Sequence, residues 1–354
     1  MSELRLDPLS RTWVVIAPDR AHRPSDFATS VHAIDGAPCP LCLARDGEAE
    51  ATVIARRAGA QDDDVTVLAN RFPALGVEGQ PRRGAAGPYA WVAGVGSHEV
   101  IVETRAHGLR FADLSEEQVT AVLLAWRDRV ADRARDPRIH HVALFKNEGP
   151  MAGATLSHPH SQLIATPITP TRVTAALTHA QAHLRDQGRC LGCDVAELET
   201  GAGARLVEVH ERFLAYCPFA ARHPYEVVIQ PRAHHHDFGQ VSDADARGLA
   251  GVLRRTLQRL RRALGAPDYN LALHTAPSAH SGHTLQDVER AWHWHLEIVP
   301  RVQSYGGFEV GFGVYINPVA PESAAERLRQ ARSGPAGERS RERGPGLSEG
   351  SCPR

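Results

Sequence analysis

Residues His158-Pro159-His160-Ser161-Gln162 set two imidazoles and a carboxamide at alternate positions, where a strand would send all three side chains to one face. A neutral imidazole attacks phosphorus or binds a metal, and a carboxamide donates a hydrogen bond to a phosphoryl oxygen without titrating. Together these types suit the movement of a phosphoryl-type group. For a single triplet in a chain with 20 histidines the plainer reading is a polar strand, so its weight depends on what must position it.

What positions it is a repeat. Cys39-Pro-Leu-Cys42 is matched by Cys190-Leu-Gly-Cys193, and Glu99-Val-Ile-Val-Glu-Thr-Arg-Ala-His107 by Glu226-Val-Val-Ile-Gln-Pro-Arg-Ala-His234. Both runs lead into a helix start, with Ser115 and Ser242 as N-caps of long, Arg-rich amphipathic helices. A strand-like run follows each helix, and then a His-x-His element: His158-Pro-His160 in the first half, His293-Trp-His295 in the second. The fold class is α+β: two similar halves, each an antiparallel sheet with one long helix, packed separately or sharing one sheet. The arginines around Arg254, Arg255, Arg261 and Arg262 read as the solvated face of a helix packed on that sheet. We expect halves at 1–170 and 171–332, and a disordered tail at 333–354 that is rich in Gly, Pro, Ser and charge.

The 354 residues can bury a large core without covalent staples. A formal net charge of −1 gives no electrostatic footprint for nucleic acid or an anionic membrane. Lys146 is the only lysine, a bias ascribed to genome composition. The first residues lack a signal-peptide core and no run reaches membrane-spanning length, so we expect a cytoplasmic chain. There the six cysteines are expected as thiols, and CxxC pairs as metal ligands or redox pairs.

A CxxC turn plus two separated histidines is a tetrahedral zinc set, and the chain offers it twice in the same order. Cys39, Cys42, His107 and His158 form one set; Cys190, Cys193, His234 and His293 form the other. Four protein ligands leave no open position, so both metals are expected to be structural, with iron an alternative to zinc in the second. His98, His223, His235 and His236 are substitutes for the ligands, set aside because only His107 and His234 occupy the same place in both repeats.

With His158 given to a metal, His160 remains as a nucleophile. The loop Asn147-Glu-Gly-Pro-Met-Ala-Gly-Ala-Thr155 would bring backbone amides and the Asn147 and Thr155 side chains to phosphate, and Arg20 and Arg23 would meet a diphosphate.

On these residues the sequence resembles the galactose-1-phosphate uridylyltransferase family, a transferase branch of the histidine-triad superfamily, from Trp13-Val-Val-Ile-Ala-Pro-Asp-Arg20-Ala-His-Arg23-Pro to about Arg329. The resemblance implies that His160 becomes nucleotidylated and that Gln162, where triad hydrolases carry a third histidine, bonds the transferred phosphoryl group. It implies ping-pong transfer from UDP-glucose to a hexose 1-phosphate, with Arg20, Arg23, Asn147 and Thr155 on phosphates and Asn70 near the nucleoside. It also implies a homodimer whose active site borrows residues from the neighbouring subunit. Glu297 replaces Gln162 in the second copy, which reads as structural. The segment Gly307-Phe-Glu-Val-Gly-Phe-Gly-Val-Tyr-Ile-Asn317 and the second CxxC are also similar to the branch that phosphorolyses ADP-glucose. An adenylyl-transferring phosphorylase and a non-catalytic, zinc-stapled nucleotide-binding module are the rival readings.

Overall fold

The computed structural model describes residues 3–6, 13–16, 39–47 and 51–331. The expected tail lies outside them.

Fourteen strands are described: β1 (Glu3–Leu6), β2 (Trp13–Ile16), β3 (Val53–Arg57), β4 (Val65–Ala69), β5 (Arg83–Ala86), β6 (Tyr89–Ala93), β7 (Ser97–Val102), β8 (His141–Glu148), β9 (His160–Thr166), β10 (Leu206–Val209), β11 (Phe213–Tyr216), β12 (Val227–Pro231), β13 (Tyr269–His274) and β14 (His295–Pro300). The α-helices are α1 (Pro40–Asp46), α2 (Glu116–Ala134), α3 (Thr171–Gln187), α4 (Leu191–Ala202), α5 (Asp243–Leu264), α6 (Leu285–Ala291), α7 (Gly307–Phe312) and α8 (Pro321–Gln330).

Ten strands form one antiparallel sheet in the order β10-β11-β12-β14-β13-β8-β9-β7-β4-β3, and β2-β1-β6-β5 form a small second sheet. The order of the large sheet reads the same from either end: five strands of each half meet edge to edge where β8 pairs with β13. Edge strands expose unpaired backbone groups, and this seam satisfies the inner edge of both halves. The two halves therefore share one extended sheet.

The long helices begin where the sequence caps them. The Ser115 hydroxyl accepts from the Gln118 amide at 3.0 Å, and the Ser242 hydroxyl from the Asp245 amide at 3.1 Å. Losing either cap would cost about 1 kcal/mol. In α2 the stripe Val119, Val122, Leu123, Trp126 and Val130 is buried; in α5 it is Leu249, Val252, Leu253, Leu257 and Leu260. Both stripes enter the one main core with Leu144, Leu163, Leu271 and Leu296 of the sheet.

The arginines of α5 are more tied down than a solvated face. Arg254 donates to the Leu114 carbonyl, Arg261 pairs with Asp113, and Arg255 and Arg259 pair with Glu208. The first two cross from the second half to the first, so part of this charge holds the halves together.

The repeats are out of step by one residue along the sheet. Val100 faces Gln162 and Val228 faces Glu297, so Val100 corresponds to Val228, although the sequence match sets it against Val227. The metal-side turn restores the step: the carbonyls of Thr104 and Pro231 each receive a bond from a His-x-His imidazole. The first half thus carries one extra residue at the end of β7, where Glu103 stands.

Candidate active site and metal centres

His160 opens β9, with His158 just before the strand and Gln162 inside it. Val102 of β7 lies opposite His160, and the β8–β9 register, which sets Phe145 against Gln162, puts Asn147 beside His160 when carried two residues on. His160 and Asn147 therefore share a face. The His160 Nδ1 lies 2.8 Å from the His158 carbonyl. A carbonyl only accepts, so Nδ1 carries the proton and Nε2 the lone pair, which is the nucleophilic tautomer.

Gln162 is oriented by His98. The Ala74 amide donates to His98 Nδ1 at 3.1 Å, which leaves Nε2–H to donate to Gln162 Oε1 at 3.0 Å. The Gln162 NH2 is then the end offered to a ligand. Asn70 joins from the other side, its amide nitrogen 3.1 Å from His98 Nε2 and its Oδ1 accepting from the Phe72 amide. His98 is thus no metal ligand; it orients Gln162, while the Asn70 NH2 packs beside the same N–H without bonding to it. Its position was legible, since residues 98, 100 and 102 alternate toward the face that Gln162 occupies.

The loop after β8 differs from expectation. Gly149 has φ 85° and a Cβ there would come within 1.9 Å of Asp268 Oδ1, so only glycine fits. Asp268 also accepts from the Met151 amide at 2.8 Å, while the amides of Ala152, Gly153 and Ala154 bond within the loop. Those four amides are committed to the protein and not aimed at phosphate. The groups this region offers are side chains: Asn147, whose Oδ1 accepts from Asn270 at 2.8 Å, and the exposed Thr155. Arg20 and Arg23 lie outside the described residues.

Both Cys/His sets converge. In each the four ligand atoms lie within 4.8 Å of one another. Cys42 Sγ is 3.2 Å from His158 Nδ1 and 3.7 Å from His107 Nδ1; Cys193 Sγ is 3.5 Å from His293 Nδ1 and 3.6 Å from His234 Nδ1. A tetrahedron with metal–sulfur near ~2.3 Å and metal–nitrogen near ~2.0 Å has S···N edges of about 3.5 Å. The outer nitrogens are pinned as metal-bound imidazoles require: His158 Nε2 donates to the Thr104 carbonyl, His293 Nε2 to Pro231 and His234 Nε2 to Glu289. Cys39 and Cys190 stand at the N-caps of α1 and α4, where the helix dipole favours thiolate.

Charge in the second set argues the same way. Burial opposes ionisation of Cys190, but hydrogen bonds from His234 and His293 pull its thiol down to about 5. Burial and that thiolate then push Cys193 up to about 12. Only one of the two sulfurs thus ionises by itself, and a cation between them is what would let both bind as thiolates. The donors fit a metal in both sets. His223, His235 and His236 take no part: His223 pairs with Glu226, and His235 stacks on His236.

In the second half His295 repeats the lock of His160, its Nδ1 3.1 Å from the His293 carbonyl. Beyond that clamp its surroundings differ. Glu297 pairs with Arg222 and accepts from His274 Nε2 at 2.9 Å. A cavity of about 210 Å³ beside His295 is walled mainly by apolar groups, among them Ala180, Leu191, Val195 and Trp292.

Residues 1–170 match the family model described as "Galactose-1-phosphate uridyl transferase, N-terminal domain", and residues 176–336 match its C-terminal counterpart. ADP-glucose phosphorylase of Arabidopsis thaliana is 32% identical over 93% of this chain and 92% of that protein. Galactose-1-phosphate uridylyltransferase of Streptomyces lividans is 32% identical over 92% of this chain and 82% of that one. The crystal structure of an Arabidopsis thaliana ADP-glucose phosphorylase with bound ADP-glucose superposes with TM-score 0.73 at 33% identity, covering 93% of this chain and 98% of that chain. The chain is an enzyme, a nucleotidyltransferase. It belongs to the galactose-1-phosphate uridyl transferase family.

Proposed function

We propose that the chain transfers a uridylyl group between UDP-glucose and a hexose 1-phosphate by double displacement at His160. The observation that carries this is the His160 tautomer beside Gln162: Nδ1–H is bonded to the His158 carbonyl, Nε2 has the lone pair, and Gln162 offers its NH2 on the same face. Nε2 attacks the α-phosphorus, and the bond from that phosphorus to the bridging oxygen breaks as glucose 1-phosphate leaves. The phosphoramidate keeps the Nδ1 proton, and the His158 carbonyl stabilises its positive charge. A phosphate oxygen of the second sugar then attacks the same phosphorus and the P–N bond breaks. Gln162, set by His98, donates to a non-bridging oxygen, and as a carboxamide it activates no water. Asn70 contacts the nucleoside; Arg20, Arg23, Asn147 and Thr155 contact phosphates.

Both Cys/His sets hold zinc in this reading, the first fixing His158 two residues from the nucleophile. The domains are 1–170 and 171–332, and the enzyme works in the cytoplasm; among the described residues no helix is long and apolar enough to cross a membrane. A homodimer is supported by an exposed apolar run, Phe308, Val310, Phe312, Val314 and Ile316, which a neighbouring subunit would cover.

Adenylyl transfer from ADP-glucose to phosphate is the second reading, favoured by the 33% identical relative that binds ADP-glucose. Incubation with UDP-glucose or ADP-glucose followed by mass spectrometry of the quenched protein separates the two. Uridylyl on His160 supports the first reading; adenylyl alone replaces it with the second; no adduct from either removes both.

A further inference from the structure

The chain's only lysine is buried directly behind the candidate nucleophile. Lys146 Nζ lies 2.7 Å from Glu103 Oε2 and donates to the His160 backbone carbonyl at 3.2 Å. Both side chains are on the core side of the sheet, Lys146 1% and Glu103 0% exposed. Ser161, also fully buried, receives the Trp126 indole N–H at 2.7 Å. Glu103 further fixes the backbone, since its amide donates to the Pro159 carbonyl. The network runs on to the seam: Lys146 is 3.5 Å from Glu148, which accepts from the Tyr269 hydroxyl of β13 and the Phe111 amide.

The second half has none of this. Phe145 faces Gln162 and Ala272 faces Glu297, so one step along each strand Lys146 corresponds to Leu273. Ser161 corresponds to Leu296 and Trp126 to Leu253, both fully buried. Glu103 has no acidic counterpart: the sequence match sets it against Gln230 and the strand register against Pro231. The same sheet, helix and metal clamp thus carry leucines at these three positions in one half. An ion pair taken fully out of water is a poor source of stability compared with apolar residues of similar volume. Its restriction to the half with Gln162 needs a cause other than folding.

We infer that Lys146, held by Glu103, is a positioning residue for nucleotidyl transfer: it clamps the His160 peptide from behind while the His158 carbonyl orients the imidazole in front. The inference rests on His160 as the nucleophile. Side chain and backbone of His160 are then restrained independently, and a shift of about 1 Å in a reacting group costs about 100-fold in rate. Lys146 touches no substrate; it acts through the His160 carbonyl.

Two double variants test this. Lys146→Met with Glu103→Gln removes charge and donor together; Lys146→Gln with Glu103→Gln removes the charge and keeps a donor. Single-turnover formation of nucleotidyl-His160 is measured at a range of sugar-nucleotide concentrations, alongside thermal melting. The Met/Gln enzyme is expected to melt at or above the wild-type temperature and to label at least about tenfold more slowly, with unchanged half-saturation. The Gln/Gln enzyme is expected within about threefold of wild type. A folded Met/Gln enzyme at wild-type rate overturns the inference, and so does a Gln/Gln enzyme as slow as Met/Gln. Should Met/Gln not fold, a more than tenfold loss in Gln/Gln overturns it as well. Failure of the wild type to label His160 instead removes the functional reading beneath it.

Discussion

The two His-x-His sites share a clamp and differ in everything that would touch a phosphoryl group. In both, the first histidine sits in a Cys/His set and donates its outer N–H to a carbonyl, and the second is locked through Nδ1 to the carbonyl of the first. On the face beyond, the first half sets Gln162 against His98, whereas the second sets Glu297 between Arg222 and His274. Ahead of the motif the first half has the glycine-bearing loop pinned by Asp268; the second inserts α6 and packs Trp292. Behind it the first half has Lys146 and Glu103, the second Leu273. The clamp is common architecture, and the chemistry lies in what one copy adds.

Deleting the two second-position imidazoles breaks the comparison most strongly. His160→Ala is expected to lower kcat by about 10⁴-fold or more, whereas His295→Ala should stay within about threefold, both read by steady-state transfer. Giving the first copy the acid of the second comes next. Gln162→Glu places a carboxylate where the phosphoryl oxygens gather and should reduce kcat by about 10²- to 10³-fold, as loss of a transition-state donor does, with a smaller change in KM.

The clamps should separate stability from activity. Cys39→Ser and Cys190→Ser are each expected to remove about one metal per chain by elemental analysis and to lower the melting temperature. Only Cys39→Ser should also slow transfer, because His158 carries the carbonyl that orients His160. Equal activity loss in both would contradict the division of labour.

The smallest effect concerns acid. Burial pushes His141 of β8 down to about 4 from an ordinary value of 6.5. The unfolded chain therefore binds this proton first, so the stability present above pH 6.5 is lost as pH falls toward 4, by roughly 3 kcal/mol at the low end. His141→Phe should flatten the decline in melting temperature between pH 6.5 and 5, and an unchanged slope would assign that decline to other groups.

Motifs with fixed local spacing were legible in the sequence. The Ser115 and Ser242 caps and the alternation through His160 and Gln162 depend on helix or strand periodicity, and the Cys/His sets were legible because the chain repeats them in the same order; the structure reproduces all three. What could not be read depends on pairing between distant segments. Whether the halves shared a sheet was decided by the β8–β13 seam, which no local pattern encodes. The sequence match also hid the one-residue step at Glu103, since both runs end in Arg-Ala-His whatever the register of the strands before them. The commitment of the amides of residues 151–154 is equally non-local in part: Asp268, from the other half, takes the Met151 amide, and the other three bond to the Gly149 and Pro150 carbonyls. The role of Lys146 is not legible locally because its partners lie 43 and 14 residues away.

The most direct test of one catalytic and one structural copy is the position of the covalent adduct. After a brief incubation with the sugar nucleotide and a denaturing quench, peptides spanning both motifs are mapped by mass spectrometry. The account predicts nucleotidyl label on the His160 peptide, approaching one per chain, and none on the His295 peptide. Label on His295, or turnover with no adduct on either peptide, would contradict it.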